Sequence, residues 1–144
     1  EHGEPFPIDH PLGAAMLFRS EAIQETHGFD LDYHMYVEEI DWCMRVEKAG
    51  WEIYCVPSAR IVHLEGQSTA QARPEMVVAL WRSRYILFKK YYSLLYRWLV
   101  TRVIRAGMRT HIRRLHRSVR QGETDQQSAD RLIDAYRQVL TMGP

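Results

Sequence analysis

The clearest periodicity lies beyond Pro74. Trp81, Tyr85, Phe88, Tyr92, Leu95, Leu99, Val103 and Ala106 recur at spacings of three and four, which predicts a long amphipathic helix with Gly107 as its break or bend. Arg109 to Arg120 continues it as a basic, weakly apolar stretch. Residues 121–125 read as a linker, and Ser128 is placed to cap a last helix with Leu132, Ile133, Tyr136, Val139 and Leu140 on its apolar face. Before Pro74 the pattern is shorter and more broken. Residues 1–11 are proline-rich and read as irregular, and Ala14 to Phe18 reads as a buried strand. Ser20 is expected to cap a short helix with Ala22 and Ile23 inward. Thr26 to Asp30 reads as a turn with positive φ at Gly28. Ile40, Cys43 and Met44 predict a helix over Tyr36 to Ala49, stopped by Gly50. Trp51 to Val56 alternates and reads as a strand ending at Pro57, Ala59 to His63 reads as a short extended piece, and Gly66 to Thr69 as a polar loop.

Charge divides the same chain into blocks. Residues 1–75 hold fourteen acids against five Lys and Arg, residues 76–122 hold twelve Lys and Arg and no acid, and residues 123–144 hold four acids and two arginines. The net charge of +1 therefore hides an acidic part suited to a proton-accepting or metal-holding site and a basic part suited to phosphates or an anionic membrane surface. The three blocks serve as the expected divisions of the chain. Basic charge also raises nucleic acid as a partner, but no nucleic-acid-binding motif accompanies it, and none is expected. Two cysteines, Cys43 and Cys55, suit neither a disulfide framework nor a metal pair. No signal peptide and no run of 18 apolar residues is present.

The densest candidate chemistry is Glu38-Glu39-Ile40-Asp41-Trp42-Cys43-Met44-Arg45. Three carboxylates in four residues sit at the predicted start of a helix, where the helix dipole favours their ionised form. Such a group can take a proton from a substrate hydroxyl. Equally, acids in a first turn cap the helix, and Asp41 can pair with Arg45 one turn on. Gly13 and Ala14 either let a substrate approach the backbone closely or make a plain turn. Trp42 either stacks on a sugar ring or fills a core.

A linear series of motifs narrows these alternatives. Gly13-Ala14 precedes Met16-Leu17-Phe18-Arg19. His27-Gly28-Phe29-Asp30 is followed by Tyr36 to Arg45, then by Ala49-Gly50-Trp51 and by Pro57-Ser58-Ala59 leading to His63 and Gly66, with Ser83, Tyr85, Lys89 and Lys90 beyond. In this order and spacing, over roughly residues 9–92, the chain resembles the GT-A glycosyltransferases of family 2, the inverting group that includes bacterial rhamnosyltransferases. The resemblance implies an α/β fold: part of a GT-A sheet with flanking helices, followed by a helical C-terminal extension. It implies transfer of a sugar, rhamnose in the nearest group, from a nucleotide-diphospho-sugar donor to a saccharide or lipid-linked acceptor in cell-envelope or exopolysaccharide synthesis.

The same resemblance assigns the site. Glu39 is the expected catalytic base, standing where the family has Asp, with Glu38 and Asp41 beside it. Gly13, Ala14 and Trp42 are expected on the substrate side. His63 is expected to complete a divalent metal site, Mg²⁺ or Mn²⁺, together with carboxylates from a donor-binding half that this sequence lacks. A chain that starts at Glu1 without that half is expected to be an incomplete portion, inactive alone, working in the cytoplasm at the inner face of the cell membrane. The competing expectation is a non-catalytic docking module derived from such an enzyme.

Overall fold

The computed structural model describes residues 3–63 and 73–143, and they fall into two compact units, Glu1–Glu65 and Gly66–Pro144. The expected Gly66 to Thr69 loop lies outside the described residues. Among those residues the chain is mostly helical, with one two-stranded sheet.

In the first unit, β1 (Phe6–Pro7) pairs antiparallel with β2 (Tyr54–Cys55), Phe6 opposite Cys55 and Pro7 opposite Tyr54. The N–H of Ile8 extends the pairing to the carbonyl of Ile53 at 3.0 Å. Pro7 carries no N–H, which an edge position tolerates. The α/β expectation thus shrinks to one short ladder. Ala14 to Phe18 is not a strand, and Leu17 is 99% exposed. Apolar residues alone do not make a strand; a ladder partner is needed, and none of the described residues offers one. Ala59 to His63 is likewise irregular and exposed.

Two helices complete this unit. α1 (Ser20–Thr26) buries Ala22 but leaves Ile23 exposed, and its cap is Arg19 rather than Ser20, whose hydroxyl donates to Glu21 instead. It ends at His27 and Gly28, both at positive φ, so the turn expected at Gly28 is present. α2 (Glu38–Lys48) begins two residues later than predicted, because Tyr36 and Val37 adopt φ of 67° and 72°. At its far end Gly50, at φ 90°, turns the chain so that the Trp51 N–H reaches the Val46 carbonyl.

The second unit packs α3 (Arg73–Tyr91), α4 (Leu94–Arg120) and α5 (Gln126–Thr141), with α5 against both others. Tyr85, Ile104, Met108 and Val139 form its centre, with Trp81, Phe88, Val100, Tyr136 and Leu140 around them. The long helix breaks at Ser93, not at Gly107. Ser93 is extended and its hydroxyl accepts the Tyr96 N–H at 3.3 Å, whereas Gly107 stays inside α4. A helical glycine costs only about 1 kcal/mol, which 27 residues of helix absorb. The stacked rings of Tyr92 and Tyr96 turn the corner.

The predicted apolar stripe is divided by that break. Trp81, Tyr85 and Phe88 face the core, while Leu95, Leu99 and Val103 are exposed. On α5, Ile133 and Val139 are fully buried, as its pattern predicts. Its cap is Asp125, not Ser128: the Asp125 carboxylate accepts the Ser128 N–H at 2.8 Å, which holds its carboxyl below the usual range. No helix among the described residues is long and apolar enough to cross a membrane.

Candidate active site

The acidic motif is held by a buried polar frame centred on α2. Asp41 has no exposed surface. Its carboxylate accepts from Arg45 Nε at 2.9 Å and from the Tyr33 hydroxyl at 3.2 Å. The Arg45 guanidinium also donates to the carbonyls of Thr26 and Gly28, the latter at 2.6 Å. One ion pair, spaced one helical turn apart, therefore fastens α2 to the end of α1 and to the glycine turn behind it.

Trp42 extends the frame. Its indole N–H donates to the Thr26 hydroxyl at 2.7 Å, and that hydroxyl donates to the Ala22 carbonyl at 2.6 Å. Phe18 stacks on the indole at 3.8 Å and Phe29 meets it edge-on at 4.7 Å. With 5% of its surface exposed, Trp42 fills the core and presents no open ring face to a sugar. Trp51 ties the opposite end of α2 to α1 through a 2.9 Å bond to Glu25.

Glu38 and Glu39 stand differently. They occupy the first turn of α2, where the helix dipole favours a carboxylate, and both are half-buried. The backbone that delivers them is strained: a β-branched residue at φ 72°, as Val37 is, costs on the order of 1–3 kcal/mol. Val37 is itself buried, so packing holds the conformation. Glu39 lies against Gly13, where an added Cβ would stand 3.5 Å from both Cβ and Cγ of Glu39. Two residues 26 positions apart in sequence are thus brought together. Ala14, next to Gly13, is exposed. One carboxylate oxygen of Glu38, Oε2, is buried without a hydrogen-bond partner, a costly state for a polar atom unless something occupies it in use.

Glu39 and Cys43 are one turn apart on the same helix. Burial, with Glu47 and Glu39 adding repulsion, pushes the Cys43 thiol up to about 11. At pH 8 it is therefore protonated and unreactive. Iodoacetamide at that pH is expected to label half-buried Cys55 well before Cys43, and Cys43 only after denaturation; equal native labelling rates would contradict this burial.

His63 is exposed at the edge of the described residues. Among the described residues no three His, Cys, Asp or Glu side chains are grouped to hold a metal. A divalent metal held by His63 would need further ligands from outside the described residues.

Sequence reasoning missed Tyr33 as a partner of Asp41, Thr26 as the junction of α1 and α2, and the two positive-φ residues before Glu38. The first joins residues eight apart and the second residues 16 apart, and neither spacing carries a local signal. The third conflicts with the ordinary preferences of Tyr and Val.

The family described as Glycosyl transferase family group 2 matches residues 1–133. An N-acetylglucosaminyl-diphospho-decaprenol L-rhamnosyltransferase of Mycobacterium tuberculosis (strain ATCC 25618 / H37Rv) is 34% identical over 87 residues, 60% of this chain and 28% of that protein. Rhamnosyltransferase WbbL of Escherichia coli (strain K12) is 38% identical over 56 residues, 39% of this chain and 21% of that protein. The chain thus spans under a third of the length of these curated relatives. No solved structure matches. With its acidic motif on α2 and a family match that covers most of its length, the chain belongs to glycosyl transferase family group 2.

Proposed function

We propose that these residues form the acceptor side of an inverting GT-A glycosyltransferase. It moves a sugar, rhamnose being the first to test, from a nucleotide-diphospho-sugar to a hydroxyl of a lipid-linked saccharide in cell-envelope or exopolysaccharide synthesis. The observation that carries this reading is the contact of Glu39 with Gly13 at the start of α2. A half-buried carboxylate beside a residue without a side chain leaves room for an acceptor hydroxyl to come close. The relatives' names, both rhamnosyltransferases and one acting on a diphospho-decaprenol substrate, support the chemistry and the acceptor class.

In the step proposed, the acceptor oxygen forms its bond to the anomeric carbon while the bond from that carbon to the diphosphate oxygen breaks. Glu39 takes the hydroxyl proton, and the nucleotide diphosphate leaves with the electron pair. Glu38 Oε2, buried and unpartnered, suits a hydroxyl of the bound sugar. Asp41 acts through Arg45, as a positioning residue, and Trp42 supports the helix from the core. A divalent metal with His63 among its ligands stays part of the reading only with ligands from outside the described residues, and no step is routed through it. Incubating the full-length protein with nucleotide-diphospho-sugars and a lipid-diphosphate-linked N-acetylglucosamine, then resolving the lipid products by mass, tests the function. A product one deoxyhexose heavier supports it; recovery of unchanged acceptor with every donor overturns it.

Membrane contact belongs to the same reading. α4 carries eight arginines and no acid, and Leu94, Leu95, Leu99 and Val103 on it are exposed. Basic residues near an anionic surface contribute about 1 kcal/mol each, and the leucines add burial that salt does not screen. The chain is expected to co-sediment with phosphatidylglycerol vesicles, to be released by added salt, and to bind less when Leu95 and Leu99 become Ser. Absence of binding at low salt would contradict it.

A further inference from the structure

A cleft of about 530 Å³ runs along α4, lined by Trp98, Thr101, Arg102, Arg105, Ala106 and Arg109. Three of its six lining residues are guanidinium donors, and α4 carries no carboxylate to neutralise them. Thr101 is 3% exposed, yet its hydroxyl has no hydrogen-bond partner. Arg105 Nε is also buried and unpartnered, while its Nη2 donates to the Met142 carbonyl at 3.2 Å. That bond fixes the guanidinium with one donor unused. Arg102, itself exposed, lies over the Trp98 ring at 4.7 Å, a cation–π contact that restrains its guanidinium. Unused donors, a buried hydroxyl and fixed guanidinium groups in one cleft are the complement of a group with many oxygens and negative charge.

We infer that this cleft binds the diphosphate of a lipid-linked substrate, with the apolar chain lying along the exposed Leu95, Leu99 and Val103. These side chains follow the helix at four-residue intervals, so an apolar tail leaving the cleft can cover part of their exposed surface. The lipid diphosphate rests on the acceptor class proposed above; the affinity for an oxygen-rich anion rests on the cleft alone.

Isothermal titration of the 144-residue chain with inorganic pyrophosphate, farnesyl diphosphate and farnesol separates these elements without any transfer assay. Saturable binding of both diphosphates is expected, farnesyl diphosphate binding about tenfold tighter, while farnesol binds neither saturably nor tightly. Arg105→Gln with Arg109→Gln is expected to weaken both diphosphates by about tenfold or more, and Thr101→Val by severalfold. Leu99→Ser with Val103→Ser should remove only the advantage of the farnesyl compound. Thermal melting confirms that each variant is folded; Arg109, Leu99 and Val103 are exposed, so their replacement spares the core. Absence of pyrophosphate binding overturns the site. So does binding that survives the arginine changes but is lost with Arg82→Gln and Lys89→Gln, which line a different cleft between α3 and α5. Equal affinity for pyrophosphate and farnesyl diphosphate overturns the lipid part and leaves the site to soluble diphosphates. None of these results depends on Glu39, so a failed cleft and a failed glycosyltransferase reading are told apart.

Discussion

Asp41→Asn is expected to unfold the frame beneath the acidic motif while leaving the second unit intact. Asp41 is fully buried and is the carboxylate that meets Arg45 at 2.9 Å. Removing its charge leaves a half-buried guanidinium whose remaining bonds go to neutral carbonyls. Losing one partner of a buried pair costs about 3–5 kcal/mol, because the other charge stays behind uncompensated. Native-state hydrogen exchange reads this locally. Protection in α1 and α2 should fall by about 10²-fold or more, with that in α4 and α5 unchanged. Replacing Asp41 and Arg45 together by Leu and Met is expected to be milder than Asp41→Asn, since no orphaned charge then remains. Unchanged exchange in α2 after Asp41→Asn would show that the ion pair does not support the helix.

Glu39→Gln is expected to give the opposite phenotype, an intact fold and a large loss of rate. Gln keeps the shape that rests against Gly13 but cannot take a proton. Loss of a general base typically costs about 10²–10⁴-fold. Donor affinity should change little, since the proton moves only in the chemical step. Glu39→Asp is expected to recover part of the rate, because the two carboxylates have similar basicity and differ in reach by one methylene. Steady-state rates of the full-length protein for these two variants, with thermal melts to confirm folding, check the assignment. Full activity in Glu39→Gln would move the base elsewhere, with Glu38 the next residue to replace.

What could be foreseen from the sequence was local. The α2 helix, the Gly28 turn, the Asp41–Arg45 pair and the buried face of α5 all follow from spacings within a few residues, and each is visible as a pattern. The misplaced elements depended on partners elsewhere. Phe6–Pro7 became a strand because Tyr54–Cys55 lies beside it, although its own residues suggest irregular chain. Ala14 to Phe18 has strand-like residues and lacks a neighbouring strand among the described residues. Residue type favours Ser20, Ser128 and Gly107, but Arg19, Asp125 and Ser93 take those roles, since a cap or break is settled by where the chain turns. The contact between Gly13 and Glu39 was not foreseen, as no rule of local spacing joins residues that far apart. Burial of Trp42 decided between its two roles, which residue type alone leaves open.

Sugar transfer with inversion is the central claim, and the anomeric configuration of the product tests it most directly. The full-length protein should be given a nucleotide-diphospho-sugar of known anomeric form with a lipid-diphosphate-linked acceptor, and the one-bond carbon–hydrogen coupling at the new linkage measured by NMR. A product whose anomeric configuration is opposite to that of the donor, formed by the native protein and nearly absent with Glu39→Gln, is the predicted result. A product that retains the donor's configuration, or transfer that proceeds equally well without the Glu39 carboxylate, would contradict the account.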